Sequence, residues 1–218
     1  MAATAAAGKA KPQSEGADMS RIRIIFRKSG WITFVNHMDL PTAFSRAARR
    51  AGLSQEFTQG YSPHPHISLG PPLAIGVEGR AEAAEFWFNQ WDESSAAKWN
   101  LCLPEGIEIL RYREVDGPAL AKLTTAGIYT IKGLGIELGS DALKILEEEV
   151  TRSGVLYSSS IDLGVVRITI GDLEHCSAGC LVRALKENDI CSGWAELRLV
   201  RESIGTWEHS SGTVLPLI

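Results

Sequence analysis

Long apolar runs are missing from this chain, and cysteine is scarce. No stretch approaches the roughly 20 consecutive apolar residues that a membrane-spanning helix needs, so no membrane partner is expected. Only four cysteines occur in 218 residues: Cys102, Cys176, Cys180 and Cys191. That is too sparse for a disulfide framework, and no basic segment leads into an apolar signal core. The expectation is a cytoplasmic protein with free thiols. Nucleotide-binding loops are missing too. Gly133-Leu134-Gly135 lacks the third glycine of a dinucleotide fingerprint, and no P-loop, nucleophile elbow or His-Glu-x-x-His helix is present. An iron–sulfur loop of the form Cys-x3-Cys-x2-Cys is also missing, because its third ligand position is Arg183. Aromatic residues are only 7%. Trp87, Trp91, Trp99 and Trp194 are expected in the core or at sheet edges, not as base-stacking platforms.

What is present describes an ordinary globular chain. Hydrophobic residues make up 44% and charged residues 22%, and the length allows one large domain or two small ones. The net charge of -4 conceals an asymmetry. Residues 21–90 hold eight Lys/Arg against five Asp/Glu, whereas residues 91–218 hold twelve against nineteen. An acidic chain is a poor non-specific nucleic-acid binder, which leaves room for one local basic surface on the first half.

Periodicity organises the rest. Residues 1–18 are Ala, Gly, Lys, Pro and Ser-rich without an aromatic, and predict a disordered tail. From Arg21, polar and apolar residues alternate through Ile22, Ile24 and Phe26, the period of a half-buried strand. HMDLPTAFSRAARRAG follows as a helix, with Asp39 as cap, Pro41 in the first turn and Gly52 as stop. Extended segments over 55–90, a short helix near Trp99 and a strand from Ile107 complete the first half. The second half reads as a strand, a helix (SDALKILEEEVTRSG, with a Ser or Asp cap), two strands around Gly164, a helix and a strand. The expected fold class is α+β, with two tandem ferredoxin-like (βαββαβ) halves over 19–116 and 117–218, the first carrying an extra β-hairpin. The join is placed near Asp116-Gly117-Pro118.

Three constellations could carry chemistry. Gly60-Tyr61-Ser62-Pro63-His64-Pro65-His66-Ile67-Ser68 holds two imidazoles on a backbone stiffened by two prolines. A rigid surface turn, a phosphate contact and half of a metal site all fit that pattern. Asn36-His37-Met38-Asp39 lies at a helix N-terminus, where His37 could meet an anion or move a proton, or where Asp39 simply caps. Arg46, Arg49 and Arg50, with Arg27 and Lys28, could form a phosphate-binding face or a plain solvated one. His175, Cys176, Cys180 and Cys191 have poor metal spacing, and the free cysteines are expected as small buried hydrophobes.

The run from Arg21 to Glu82 resembles the radical SAM-linked family, a bacterial domain of unknown function. The shared pattern is Asn36-His37-Met38-Asp39-Leu40, then Arg49-Arg50-Ala51-Gly52, then the Gly60 to Ser68 segment, then Gly70 to Gly76, with Glu82 beyond. Leu103-Pro104-Glu105-Gly106 looks similar as well. Asn36, Met38, Tyr61 and Ser54-Gln55 depart from the family's usual residues. The resemblance implies an accessory or substrate-presenting role beside a radical SAM protein, acting on RNA or a ribosome-linked substrate. It implies no cofactor in this chain; the partner would carry an iron–sulfur cluster and S-adenosylmethionine. Residues expected to contact substrate or partner are His37, Asp39, Arg46, Arg50, Gly60, Tyr61, Pro63, His64, Pro65 and Ser68. The rival readings are a metal-independent endoribonuclease, similar at fold level to CRISPR repeat-processing enzymes and using His37 and His64, and a structural interaction module.

Overall fold

A computed structural model describes residues 19–218. The tail expected over 1–18 lies outside the described residues.

Alternation in the first segment forms β1 (Ser20–Lys28). Ile22, Ile24 and Phe26 point to one side, where α1 (Leu40–Arg50) buries Leu40, Phe44, Ala47 and Ala48 against them. Two short 3-10 turns, Gly30–Phe34 and His37–Asp39, connect the two elements. β2 (Ile67–Leu69), β3 (Glu78–Phe88), α2 (Ser95–Cys102) and β4 (Ile107–Glu114) follow. Trp99 from α2 is fully buried and meets Phe44, Phe86 and Phe88 edge-on, while its Nε1–H donates to the Phe44 carbonyl at 3.1 Å. Each such aromatic removes large apolar area from water, so this layer fixes how α1 sits on the sheet.

The chain continues through α3 (Leu120–Leu123), β5 (Ala126–Gly133), α4 (Ser140–Ser153), β6 (Val155–Asp162) and β7 (Val165–Gly171). It ends with α5 (Ala178–Glu187), β8 (Leu197–Glu208) and β9 (Thr213–Leu215). The fold is mixed α+β. Among the described residues, nine strands form one sheet of order β4-β1-β3-β8-β5-β7-β6, with β2 added to β3 and β9 to β8. Every pairing is antiparallel except β3 with β8, a short parallel contact at Glu78 and Gly79 opposite Val200 and Arg201. A second core lies under α4 and α5 and reaches Ile25, Ala83 and Leu217 on the back of β1 and β3.

Several local expectations need correction. Asp39 makes no side-chain capping bond; Asn36 instead accepts from the Met38 N–H at 3.1 Å. The N-cap of α4 is Gly139, not Ser140 or Asp141, and it has no side-chain cap. Residues 55–66 contain only two isolated bridges, Gln55 to Phe88 and Phe57 to Pro65, rather than a strand. α3 and β9 add two short elements to the expected order.

Candidate functional site

Where β3 meets β8, three charged side chains are buried together. Arg201 is 0% exposed, and Lys28 and Glu82 are nearly as enclosed. The Arg201 Nε donates to Glu82 at 2.8 Å, and its Nη2 makes an ion pair with the same carboxylate. Its other guanidinium hydrogens go to the Tyr129 hydroxyl at 3.2 Å, the Pro72 carbonyl at 3.1 Å and the Pro71 carbonyl at 2.8 Å. A guanidinium has five N–H donors, so Arg201 has none left for a substrate. It ties β3, β5 and the 70–72 loop to β8. Burial alone would lower its pKa, but the Glu82 charge and the Tyr129 hydroxyl reverse that, and the net direction is upward. Burial pushes the Tyr129 pKa up. Lys28 Nζ donates to the Val35 carbonyl at 2.8 Å, on the turn before α1. Desolvation pulls the Lys28 pKa down, against the opposing pull of Glu82.

His37 stands half-buried at the edge of this cluster. Burial is the largest cause of its lowered pKa, and the Arg201 charge adds to it. The ring is therefore neutral at pH 7, a hydrogen-bonding group beside a net positive spot. A histidine with a depressed folded pKa costs stability as pH falls. Below about 6.5 the unfolded chain takes up a proton that the folded chain resists. Thermal unfolding from pH 7.5 down to 5 should show the midpoint falling for the native protein and falling less steeply for His37→Gln. Equal slopes would place His37 in solvent. His175 runs the opposite way: its exposed ring bonds Asp172 at 2.7 Å, which raises its pKa, so its contribution is lost as pH rises.

The proline-rich segment sits elsewhere. Gly60, Tyr61 and Pro63 lie exposed at the tip of a loop whose stem pairs Thr58 with His64 and Glu56 with His66. Pro65 faces Phe57 there, and Ser68 lies in β2 opposite Glu85. His64 is exposed, with its Nδ1 3.1 Å from the Thr58 hydroxyl. His66 stacks flat on Trp87 at 3.7 Å, with Glu56 4.0 Å from its Nδ1. Trp87 is five residues along β3 from Glu82, about 16 Å of strand. His37 and His64 share no hydrogen-bond partner: His37 is on the turn before α1, and His64 bonds within its own loop. Among the described residues, no group of three His, Cys, Asp or Glu is placed to hold a metal ion.

The expected basic face is only partly assembled. Arg46, Arg49 and Arg50 are exposed on α1, and Arg50 donates to the Cys102 carbonyl at 2.6 Å. Arg27 instead pairs with Glu108, and Lys28 is buried. The four thiols are unpaired. Sequence reasoning missed Arg201 and Tyr129. The signal for Arg201 was its parity: Leu197, Leu199 and Arg201 share the inward side of β8.

Directly outside the ion cluster, the two 3-10 turns present large apolar side chains to solvent. Trp31 is 89% exposed, Phe34 61% and Met38 77%. The Trp31 and Phe34 rings lie 6.3 Å apart, and the Gly76 N–H donates to the Thr33 carbonyl at 3.0 Å, which fixes the 70–77 loop beside them. Ile75 in that loop is 53% exposed. Single exposed apolar residues are ordinary; here four large ones lie on adjoining segments.

Fold and site together define a mixed α+β protein in which a buried ion cluster braces an exposed apolar turn. The chain belongs to a family of uncharacterized proteins conserved in bacteria (DUF2344), whose model matches residues 21–159. That match runs through the expected join near Asp116 and ends within β6. No curated protein matches the chain. Among solved structures, the regulatory subunit of aspartate kinase from Thermus thermophilus is similar at 12% identity and a TM-score of 0.26, over 78% of this chain and 93% of that one. A glycine cleavage system transcriptional repressor is similar at 12% identity and a TM-score of 0.25, over 84% and 99%. The first two RRM domains of yeast poly(U) binding protein give 8% identity and a TM-score of 0.20, over 83% and 96%. Likeness of this size says nothing of activity.

Proposed function

We propose that this chain is an accessory, substrate-presenting protein that docks a radical SAM enzyme through the Trp31, Phe34 and Met38 turn, with RNA as the substrate class. The observation that carries the reading is the exposed apolar turn held against a buried ion cluster. Ion clusters of this kind are costly to bury, and the bonds of Arg201 to Glu82, Tyr129 and the Pro71 and Pro72 carbonyls fix three segments relative to β8. Arg201 spends every donor on the protein itself, which suits a scaffold better than a catalytic centre. The partner class comes from the sequence resemblance, and the iron–sulfur cluster and S-adenosylmethionine would belong to that partner. The endoribonuclease alternative needs two proton-transfer groups at one phosphate, and His37 lies on the turn before α1 while His64 bonds Thr58 on the separate 57–65 loop. We read the architecture as two ferredoxin-like halves. The strand orders β4-β1-β3-β2 and β8-β5-β7-β6 support this, since each half places its strands fourth, first, third, second.

The test is affinity capture of the tagged full chain from its native cells, with mass spectrometry of the eluate. The native protein should retain a radical SAM protein, and the double variant Trp31→Ser, Phe34→Ser should lose it while keeping its circular dichroism spectrum. Equal recovery by both proteins, or a native eluate without any radical SAM protein, would sink the proposal.

A further inference from the structure

The sheet face of β6, β7, β5 and β8 that points away from α4 and α5 carries an arrangement the docking turn does not use. On the inward side, Tyr129, Ile131, Val166, Ile168, Leu199 and Arg201 are buried. On the outward side, cations gather on neighbouring strands. Lys132 lies directly opposite Arg198, and Arg167 lies opposite Thr130 on one side and Ser160 on the other. All three cations are exposed. Glu78 steadies Arg198 at 3.0 Å, while among the described residues Lys132 and Arg167 make no ion pair. Like charges directly opposite across a strand pair, about 5 Å apart at Cβ, destabilise a sheet. An anion laid across the row would turn that repulsion into attraction.

The same face carries an aromatic stack. Tyr157 and Trp207 lie parallel, 4.2 Å apart at an 11° tilt, and the His209 ring stands edge-on to both at 6.2 and 6.3 Å. Tyr157 rests over Gly171, where a Cβ would come within 2.9 Å of its ring, so glycine makes the seat. Four residues of β7 separate Arg167 from Gly171, about 13 Å of strand. That length matches a few phosphates at the roughly 3.4 Å rise of a stacked strand. Two carboxylates share the cation face, Glu78 on Arg198 and Glu202 on Arg80 and the Thr130 hydroxyl. The acidic residues Asp141, Glu147, Glu148 and Glu149 are on α4 and Glu187 is on α5, so the acidic surplus of this half is carried in part by the helical side.

We infer that this face binds single-stranded RNA, with Lys132, Arg167 and Arg198 on phosphates and the Tyr157–Trp207 stack receiving a base. Cations with hydroxyls alone would suit any polyanion; the parallel rings at one end favour unpaired bases, whose flat faces stack on aromatics. The inference rests on the proposed function only for its substrate class. Partner capture depends on Trp31 and Phe34, whereas RNA binding depends on this face, so the two fail separately.

The experiment is fluorescence anisotropy of the full chain with a labelled single-stranded oligouridylate, over a series of salt concentrations. The native protein should bind more weakly as salt rises. Lys132→Glu with Arg167→Glu should lower affinity about tenfold or more and reduce the salt slope by about two, one for each lost phosphate contact. Trp207→Ala should weaken binding about tenfold, and Trp207→Phe should restore most of it. Both charge changes are on exposed side chains, and circular dichroism checks each fold. Four results would overturn the inference: no binding at low salt, unchanged affinity in the double variant, loss on Arg46→Glu with Arg50→Glu instead, or equal competition by polyglutamate.

Discussion

Glu82→Ala should cost about 3–5 kcal/mol of folding stability, because it leaves Arg201 and Lys28 buried without their shared counter-charge. Against a typical total of about 5–15 kcal/mol, that is a third or more of the stability of an average domain. The measurement is a urea unfolding curve, read as a shift in midpoint at constant slope. Glu82→Gln keeps the shape and one hydrogen-bond acceptor but not the charge, so it should fall between native and alanine. The double change Glu82→Leu with Arg201→Met removes the Arg201–Glu82 pair and leaves only Lys28 without a counter-charge, so it should lose less than Glu82→Ala, which strands two cations. A loss under about 1 kcal/mol for Glu82→Ala would mean that water reaches the cluster. The turn bearing Trp31 and Phe34 would then lack the support that Lys28 gives it through Val35.

The parts of this molecule legible in its sequence are those whose cause is local. Alternation in β1 and the spacing of Leu40, Phe44, Ala47 and Ala48 follow from strand and helix periods, and the structure buries those residues. The ion cluster was half legible. Lys28 follows Ile22, Ile24 and Phe26 on the inward side of β1, and Glu82 precedes Ala84, Phe86 and Phe88 on that of β3. Parity therefore marks each charge as inward. It does not say that they meet, because Glu82 and Arg201 are 119 positions apart in the chain. The Gly60 to Ser68 segment shows the opposite failure. Its glycine and prolines build a protruding loop, and its second imidazole is spent on Trp87. α3 and β9 escaped notice because they have four and three residues, and long-range contacts anchor them. The Thr206 hydroxyl, for example, donates to the Leu123 carbonyl at 2.7 Å.

Gly106→Ala should damage stability and docking together. Gly106 has φ +90°, a conformation that costs an alanine about 1–2 kcal/mol. A Cβ there would also lie 2.2 Å from the Ser29 carbonyl oxygen and 2.9 Å from the Ile32 side chain. Backbone cannot swing aside as a lysine tip can, so the strand end at Ser29 has to move. Ser29 is held there by its own N–H, which donates to the Gly106 carbonyl at 2.8 Å, and it leads straight into the turn with Trp31 and Phe34. The total loss should exceed about 2 kcal/mol, and partner capture should fall with it even at a temperature where the variant is folded. Gly117→Ala is the control, because open space surrounds that position. It should change stability by no more than about 0.5 kcal/mol and leave capture intact. Were Gly106→Ala as stable as the control and equally able to capture a partner, β4 would not be what holds the docking turn in place. The turn's geometry would then depend on Lys28 and the Gly76 contact with Thr33 alone.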